Sequence, residues 1–195
     1  MAARRLEARG GSGGKRGRRA RAPEPIRYGS VTTPWGKLWL AASREGIIAV
    51  SFRAQPAGRL AETLGKRVPV VLVRDPEGLA KAYGKALTDF LDGRTGKLEL
   101  PVDTRGMHAF QAKVYDEIRK IPPGDTWTYA EVAEKVATRQ HARAVGQALR
   151  VNPAPIVIPC HRVVESRGGL GGYMAGMSWK RRLLALERGQ QVLEV

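Results

Sequence analysis

Alternating apolar and polar positions in the first half of the chain predict short strands. Within residues 37–43, Leu38 and Leu40 occupy every second position, which is the period-two pattern of a strand with one buried face. Turn-forming residues at 34–36 and 45–46 separate this segment from its neighbours. The strands predicted in this half are 26–33, 37–43 and 46–52, with a further candidate at 68–73.

A change to three- and four-residue spacing predicts a helix over residues 76–91, ended by Gly93. Its apolar positions are Leu79, Tyr83, Leu87 and Phe90. Together with the strands, this helix makes residues 26–103 a small α+β domain. That segment contains neither histidine nor cysteine nor a phosphate-binding loop, so we expect it to be a scaffold.

Helical spacing dominates the second half. The helices predicted there are 109–121, which stops at two prolines, then 128–137 and 141–150. Thr128-x-x-Glu131 is a capping box that starts the second of them, and residues 138–140 form a tight break before the third. Two helices with a three-residue break are typical of a helix-turn-helix. The alternative is a helical hairpin inside an unrelated enzyme, and the pattern alone does not separate the two.

The charge of the chain favours a polyanionic partner. The formal net charge is +16, from 34 Lys and Arg against 18 Asp and Glu. Residues 1–27 hold nine basic and two acidic residues, so the rest keeps a net charge of +9. Nucleic acid is the simplest partner for a chain whose remaining residues are this basic. The alternative is that the charge serves only solubility. Residues 1–25 are rich in Gly, Arg and Ala, and we expect a disordered basic tail that is dispensable for chemistry.

Several protein classes are excluded by what the sequence lacks. No apolar run approaches the roughly 20 residues of a membrane span, and no apolar region follows the basic N-terminus as in a secretory signal. One cysteine cannot form an internal disulfide, which fits a reducing compartment. One cysteine and three histidines also do not make a structural zinc site. We therefore expect an intracellular, cytoplasmic protein with no membrane partner, no metal and no cofactor.

The only cysteine, Cys160, lies between two apolar β-branched runs within residues 156–164. This pattern predicts an extended, buried segment that is broken by Pro159. A cysteine in such surroundings is usually inert, but His161 and Arg162 are costly to bury without a purpose. Positive charge nearby would also favour the nucleophilic thiolate. Because neighbours on a strand point to opposite faces, we expect any coupling of the thiol to His161 to run through water.

At this point the residues resemble the active-site signature of the O6-alkylguanine-DNA alkyltransferases, also called methylated-DNA–protein-cysteine methyltransferases. The signature runs from Asn152 to Val164 as Asn-Pro-Ala-Pro-Ile-Val-Ile-Pro-Cys-His-Arg-Val-Val. Further matching motifs lie at 110–115, 121–129, 143–146, 171–173 and 180–187. The resemblance covers residues 28–187 and is strongest from Phe110 onward. It implies a ribonuclease-H-like α/β domain over 26–103, and over 104–195 a helical, winged-helix-like domain with a helix-turn-helix that carries DNA binding and alkyl transfer.

The resemblance also implies a division of labour in the chemistry. Cys160 would attack the alkyl carbon on guanine O6 by direct displacement. His161 would act as the base through a water molecule, and Glu187 would orient it. Tyr129 would give a proton or a hydrogen bond to N3 of the base, while Asn152 would brace the turn before the active-site segment.

For binding, the resemblance implies double-stranded DNA with an alkylated guanine, held through its minor groove with the damaged nucleotide flipped out. Arg143 would fill the space of the extruded nucleotide. The implied DNA-binding residues are Thr128, Arg143, Ala144, Gly146 and Arg150. The implied alkylguanine pocket consists of Tyr129, Val163, Tyr173, Met174 and Lys180, with backbone groups of Val163 and residues 173–174 reading the base edge.

Two departures from the family pattern bear on this interpretation. The family often has serine or arginine where Met174 stands, so a side-chain hydrogen bond is lost, and the tolerance of bulky alkyl groups stays open, as does activity on O4-alkylthymine. Some members bind zinc in the first half, where this chain has no cysteine. The thioether product is stable and no second thiol resolves it, which predicts one turnover per molecule. We expect a monomer, nucleoid-associated in a prokaryote or nuclear in a eukaryote.

Two other functions compete with alkyl transfer. A non-catalytic lesion sensor on the same scaffold would carry another residue at the cysteine position, so Cys160 argues against it. A cysteine hydrolase could use Cys160 and His161, but the helix pair, the basic charge and the lack of an evident oxyanion loop disfavour it. Substitution of Cys160 and turnover on an acyl substrate would distinguish the three.

Overall fold

Four strands of the first half form one sheet in the computed structural model, which describes residues 23–190. They are β1 (Glu24–Thr33), β2 (Gly36–Ala42), β3 (Ile47–Ser51) and β4 (Val70–Arg74). The order across the sheet is β3-β2-β1-β4, in which β1 pairs antiparallel with β2 and parallel with β4. All four predicted strands are confirmed, each within two residues of its expected ends.

A helix that the sequence did not predict carries the chain from β3 to β4. This helix, α1 (Ala57–Gly65), follows Pro56 and buries Leu60 and Leu64 against the sheet. A parallel strand pair needs a crossover of this kind, because the chain must return to the same end of the sheet. The inner face of α1 carries only these two large apolar side chains, too few for a helical period to stand out in the sequence.

The helix predicted over 76–91 is present, with a change of winding inside it. Regular α-helix at α2 (Pro76–Leu79) and α3 (Lys85–Leu91) is joined by a π-helical turn at Ala80–Gly84. The carboxylate of Asp75 accepts a backbone N–H at 2.9 Å and caps the start. Gly93, with φ of 72°, follows the end as predicted. The predicted apolar positions Leu79, Tyr83, Leu87 and Phe90 are all buried.

The helices of the second half lie close to their predicted positions. They are α4 (Ala109–Ile118), α5 (Tyr129–Val136), α6 (Ala142–Arg150) and α7 (Met177–Glu187). A 3-10 turn at Arg139–His141 joins α5 to α6, at the predicted break. The predicted capping box is confirmed, since Thr128 and Glu131 each accept the other's backbone N–H. Gly176 occupies the N-cap of α7, and Ser178 lies in its first turn.

The segment around the cysteine is not the extended strand that its composition predicted. Cys160–Arg162 form a 3-10 turn, and only Val163–Val164 are extended, as strand β6 pairing in parallel with β5 (Trp127–Thr128). The turn is tightened by a hydrogen bond from the Cys160 N–H to the Ile158 carbonyl at 2.8 Å. The predicted extended segment was therefore wrong at Cys160–Arg162, whereas the coupling of the thiol to His161 through water stays a prediction.

The two halves of the chain share one apolar core. Its larger cluster contains Leu38 and Leu40 from the sheet together with Val114, Tyr115 and other residues of the second half. The outer edge of β3 is also occupied by the second half, because the Val50 N–H donates to the Pro153 carbonyl at 2.8 Å. The sheet thus holds directly the turn that precedes the cysteine.

The start of the sheet also differs from the prediction. The disordered basic tail was assigned to residues 1–25, and residues 1–22 lie outside the described part. The sheet begins at Glu24 rather than residue 26, and the Glu24 carboxylate pairs with Arg105 at 2.7 Å. Within residues 23–190, no helix has the length and apolarity that crossing a membrane requires.

Candidate active site

Cys160 begins its 3-10 turn with a side chain that is almost fully enclosed. The residue is only 5% exposed, and its Sγ accepts a hydrogen bond from Asn152 Nδ2 at 3.0 Å. Burial raises the pKa of the thiol to about 11, although the Asn152 hydrogen bond and the charge of Lys180 act in the opposite direction. The resting side chain is therefore a thiol. The expectation that nearby positive charge would favour thiolate fails here because desolvation outweighs it.

Asn152 is fully buried and uses its whole amide group to fix the turn before the cysteine. Besides the bond to Sγ, Nδ2 donates to the Ile158 carbonyl at 3.0 Å. The side-chain oxygen accepts the Ala154 N–H at 3.0 Å. One amide thereby joins both ends of residues 152–160, which include Ile156 in the left-handed region at φ of 75°. A β-branched residue is rare there, so the turn needs this support.

His161 and Glu187 form a buried pair. His161 Nε2 donates to Glu187 Oε1 at 2.8 Å, and both side chains are fully inaccessible. Arg162 reaches the same carboxylate, with Nη2 at 2.8 Å from Oε1 and Nε at 3.0 Å from Oε2. The Gly124 N–H adds a weaker bond to Oε2 at 3.3 Å. The negative charge of Glu187 is thus neutralised by Arg162 while it holds the imidazole.

The charge states of this pair follow from its surroundings. Burial would raise the pKa of Glu187, but hydrogen bonds from His161 and Arg162 outweigh it and lower the pKa to about 2. Burial lowers the pKa of His161 despite the bond to Glu187, so the imidazole is neutral. With Nε2 donating to the carboxylate, Nδ1 carries the free lone pair, and it is buried without a partner among the described residues. A buried acceptor of this kind is suited to bind a water molecule.

A cavity of about 330 Å³ opens above the thiol. Its walls are Tyr129, Gly146, Leu149, Arg150, Cys160, Gly172, Tyr173 and Met174. Tyr129 is the first residue of α5, so the capping box aims its ring into the cavity. A Cβ on Gly171 would lie 2.7 Å from the Tyr129 hydroxyl, so glycine is required for the loop to approach so closely. Burial raises the pKa of both Tyr129 and Tyr173, and both keep their proton.

Lys180 and Val163 support this cavity from below and do not line it. The Lys180 ammonium is fully buried and donates to the Val163 carbonyl at 2.6 Å, with further bonds to the carbonyls of Leu170 and Gly172. Burial lowers the pKa of Lys180 to about 8. Lys180 therefore ties the loop at 170–172 to β6, and the Val163 carbonyl is already engaged.

The residues expected to contact DNA lie on α6 and, for Thr128, at the N-cap of α5. Arg143 projects from the first turn of α6 into solvent and forms no side-chain hydrogen bond or ion pair with another described residue. Ala144 and Gly146 give α6 a low profile, and Arg150 is exposed at the cavity rim. The Thr128 hydroxyl donates to the Glu131 carboxylate and accepts the Glu131 N–H in the capping box, so its proton is already engaged.

Two residues important to the site were not among the predicted set. Arg162 holds Glu187 and also donates to the Ile121 carbonyl at 2.6 Å. Tyr115 is buried, and its hydroxyl donates to the Ala148 carbonyl at 2.7 Å, which fixes α6 against α4. For Arg162 a signal existed, namely an arginine inside an apolar β-branched run. Within residues 23–190, no three His, Cys, Asp or Glu side chains are grouped as a metal site requires.

Comparisons with known proteins point to one family. A family model described as "6-O-methylguanine DNA methyltransferase, DNA binding domain" matches residues 109–189. The chain is 33% identical to the inducible methylated-DNA–protein-cysteine methyltransferase of Bacillus subtilis, over 77% of its own length and 83% of that protein. It is 36% identical to the enzyme of that name from Metallosphaera sedula, over 83% and 93% of the two chains.

A solved structure has a similar fold. The crystal structure of Mycobacterium tuberculosis OGT in complex with DNA matches with a TM-score of 0.71 at 30% identity, covering 84% of this chain and 94% of that one. The similarity thus extends across both halves of the molecule and is not confined to the active-site motif. Since relatives above 30% identity span most of both chains, this chain belongs to the methylated-DNA–protein-cysteine methyltransferases.

Proposed function

We propose that this protein repairs DNA by direct reversal, moving the alkyl group from O6 of guanine to Sγ of Cys160 once per molecule. The observation that carries the proposal is the placement of the only cysteine at the base of a 330 Å³ cavity, next to a buried His161–Glu187 pair. The cavity is within the size range of small-ligand sites, and its aromatic and aliphatic walls suit a flipped base.

The chemical step needs a base, because the thiol does not ionise by itself. A pKa of about 11 places roughly 5 kcal/mol between thiol and thiolate at neutral pH. In the proposed mechanism, the proton passes from Sγ through a water molecule to Nδ1 of His161. Glu187 stabilises the imidazolium that forms, and Asn152 Nδ2 stabilises the developing thiolate.

The displacement itself exchanges one bond for another. The S–C bond forms as the C–O6 bond breaks, and the electron pair of the broken bond stays on the guanine. Tyr129, which keeps its phenolic proton, donates to N3 and stabilises that negative charge. The net result is that the thiol proton replaces the alkyl group on guanine, and the thioether remains on the protein.

We propose that α5 and α6 form a helix-turn-helix in a winged-helix-like domain over 104–195. Its support is the 3-10 turn between the two helices and the position of α6 beside the cavity. Arg143, exposed and without a partner among described residues, would enter the duplex where the nucleotide leaves, on the minor-groove side. The small side chains of Ala144 and Gly146 would allow α6 to approach the DNA backbone closely, and the exposed Arg150 would contact a phosphate. Thr128 would act by capping α5.

We further propose a ribonuclease-H-like fold for the scaffold over 26–103, supported by the strand order β3-β2-β1-β4 with a parallel β1–β4 pair across α1. The protein would act as a monomer, because the cavity and the pair behind it are built from one chain. It would work wherever the cell keeps its DNA, in the cytoplasm with the nucleoid or in the nucleus.

The deciding experiment is the intact mass of the protein after incubation with duplex DNA that carries O6-methylguanine. We expect a gain of one methyl group, mapped to the peptide with Cys160, and a burst of repair equal to the amount of protein. Cys160→Ser should still bind the duplex without gaining mass. Repair that continues beyond one turnover, or that proceeds while Cys160 stays unmodified, would overturn the proposal.

A further inference from the structure

A second cavity, of about 410 Å³, lies between the two halves of the molecule and shares a lining residue with the one above Cys160. Its walls come from β2, β3 and α1 on one side and from residues 106–111 and 151–153 on the other. Met174 lines both cavities. We call this second cavity the interdomain groove.

The inner walls of the interdomain groove are mainly apolar. They include Trp39, Leu40, Val50, Leu60, Leu64 and Tyr115. Polar side chains such as Lys66, Arg67, His108 and Gln111 also contribute to its lining. A groove with apolar and aromatic walls and few polar groups is suited to bind hydrocarbon, because each methylene that leaves water improves binding by about fourfold.

The mouth of the interdomain groove exposes apolar side chains to solvent. Met174 is 55% exposed and Val151 is 51% exposed. Among residues 23–190, the remaining large hydrophobic side chains with comparable exposure are Val71 and Val73, on β4. Two exposed apolar side chains at the entrance to an apolar groove indicate a surface that is covered when a ligand is bound.

The groove also lies next to the reacting sulfur. Asn152 lines the groove, and its Nδ2 is 3.0 Å from Sγ of Cys160. A substituent on the sulfur that extends towards Met174 would point at the side chain that the two cavities share. A methyl group has no atoms beyond the transferred carbon to place there, whereas a long alkyl chain or an aralkyl group has.

We propose that the interdomain groove is a subsite for the apolar far end of large O6-alkyl groups, and that Met174 is its gate. The inference rests on the proposed alkyl transfer and names the substrate class it serves, namely guanines with long alkyl or aralkyl substituents. The bond changes are the same as for methyl: the first carbon joins sulfur and leaves O6. Only the rest of the chain enters the groove.

The first test compares single-turnover transfer from duplexes carrying O6-methylguanine or O6-octylguanine. Val151→Trp fills the mouth of the groove, and Val73→Trp makes the same exchange at an exposed valine of β4 that does not line it. We expect the ratio of octyl to methyl rate to fall at least tenfold in Val151→Trp and to stay unchanged in Val73→Trp. Equal ratios in wild type and both variants would overturn the subsite.

A second measurement needs no variant and decides the matter if Val151→Trp does not fold. Wild-type protein with labelled Leu and Val methyl groups is reacted with a duplex whose octyl group carries carbon-13. Nuclear Overhauser contacts from the octyl terminus to Leu60 and Leu64 are expected. A sharp terminal methyl signal without such contacts would overturn the proposed subsite and leave the proposed alkyl transfer intact. Failure to transfer even a methyl group would overturn both proposals.

Discussion

Asn152 donates a hydrogen bond to the sulfur of Cys160 at 3.0 Å with the same nitrogen that holds the Ile158 carbonyl. One side chain thus fixes both the nucleophile and the shape of the turn that presents it. The turn includes Ile156, a β-branched residue with positive φ, which is an unfavourable backbone conformation. The hydrogen bonds of the Asn152 amide therefore stabilise the turn against relaxing out of this conformation.

Asn152→Ala should lower both stability and rate. The buried Ala154 N–H would lose its partner, and the Ile158 carbonyl would keep only the Cys160 N–H, which together cost roughly 2 kcal/mol of unfolding free energy. The single-turnover rate should fall at least tenfold, because the developing thiolate loses its hydrogen bond. Denaturant unfolding and quench-flow measurements at saturating DNA check both values.

Gln147→Ala is the matched control for this substitution, because it removes an exposed amide side chain from α6. It should leave stability within about 0.5 kcal/mol and the rate unchanged. If Asn152→Ala reacts as fast as the control variant, the assigned role of the amide is incorrect.

Lowering the pH should reduce the free energy of unfolding, because Glu187 becomes protonated. Its pKa is lowered from 4.5 to about 2, so the stability it contributes is fully present above about pH 4.5 and is lost as pH falls towards 2. The amount is about 3 kcal/mol, from the size of the shift. Calorimetric unfolding of wild type and Glu187→Gln across this range is the measurement.

In Glu187→Gln, the buried Arg162 loses its counter-charge, so the variant should be less stable than wild type by about 3–5 kcal/mol at neutral pH. The difference should shrink between pH 4.5 and 2, where the wild-type carboxylate takes up its proton. His161 stays buried in both proteins, and the substitution also removes the Glu187 interaction that raises the pKa of this imidazole. A difference that does not depend on pH would contradict the assigned charge state.

The thiol of Cys160 should react slowly with a general alkylating reagent in the folded protein. Burial raises its pKa from 9.0 to about 11, so the rate with iodoacetamide should keep rising with pH up to about 11. The same rise should level off near pH 9 in urea. The free energy of unfolding should also decrease between about pH 9 and 11, because only the unfolded chain loses the thiol proton in that range. Rapid iodoacetamide labelling of the folded protein at pH 7, monitored by mass spectrometry, would refute the conclusion that the thiol is buried and protonated.

Arg143→Ala should impair reaction with duplex DNA and spare reaction with single strands. The side chain is exposed and makes no bond to a described residue, so folding should be unaffected. Extruding a paired base costs a few kcal/mol, and losing the side chain that fills the gap should slow duplex repair about tenfold. Arg59→Ala, an exposed arginine of α1, should leave both rates alone. Equal losses on duplex and single strand would indicate a simple phosphate contact instead.

Much of the fold was predictable because its signals are local. The three-strand meander follows from alternation and turns, and α5 follows from a capping box whose two side chains are three residues apart. The helix α1 escaped prediction because a two-residue apolar face carries little periodicity. The 3-10 turn at Cys160 escaped because it depends on hydrogen bonds to Asn152 and within the turn, and composition indicated a strand.

The active site also has features that the sequence predicts and features that depend on tertiary packing. Cys160, His161 and Glu187 could be placed from motifs, yet the charge states depend on burial, which the sequence does not reveal. Lys180 lies beneath the loop and does not face the cavity, because three backbone carbonyls bind its ammonium. The interdomain groove was unpredictable for a similar reason, since its walls are brought together only by packing of the two halves.

β3 is an edge strand, and the turn that precedes Cys160 covers part of its unpaired edge. The strand reads Ile-Ile-Ala-Val-Ser, uncharged and rich in β-branched residues, and the Pro153 carbonyl occupies its Val50 N–H. The Ile47 N–H and carbonyl on the same edge are bonded to Pro101 and Asp103. Two separate segments therefore cover a strand that would otherwise be open to pairing with another chain, and a change at Cys160 disturbs only one of them.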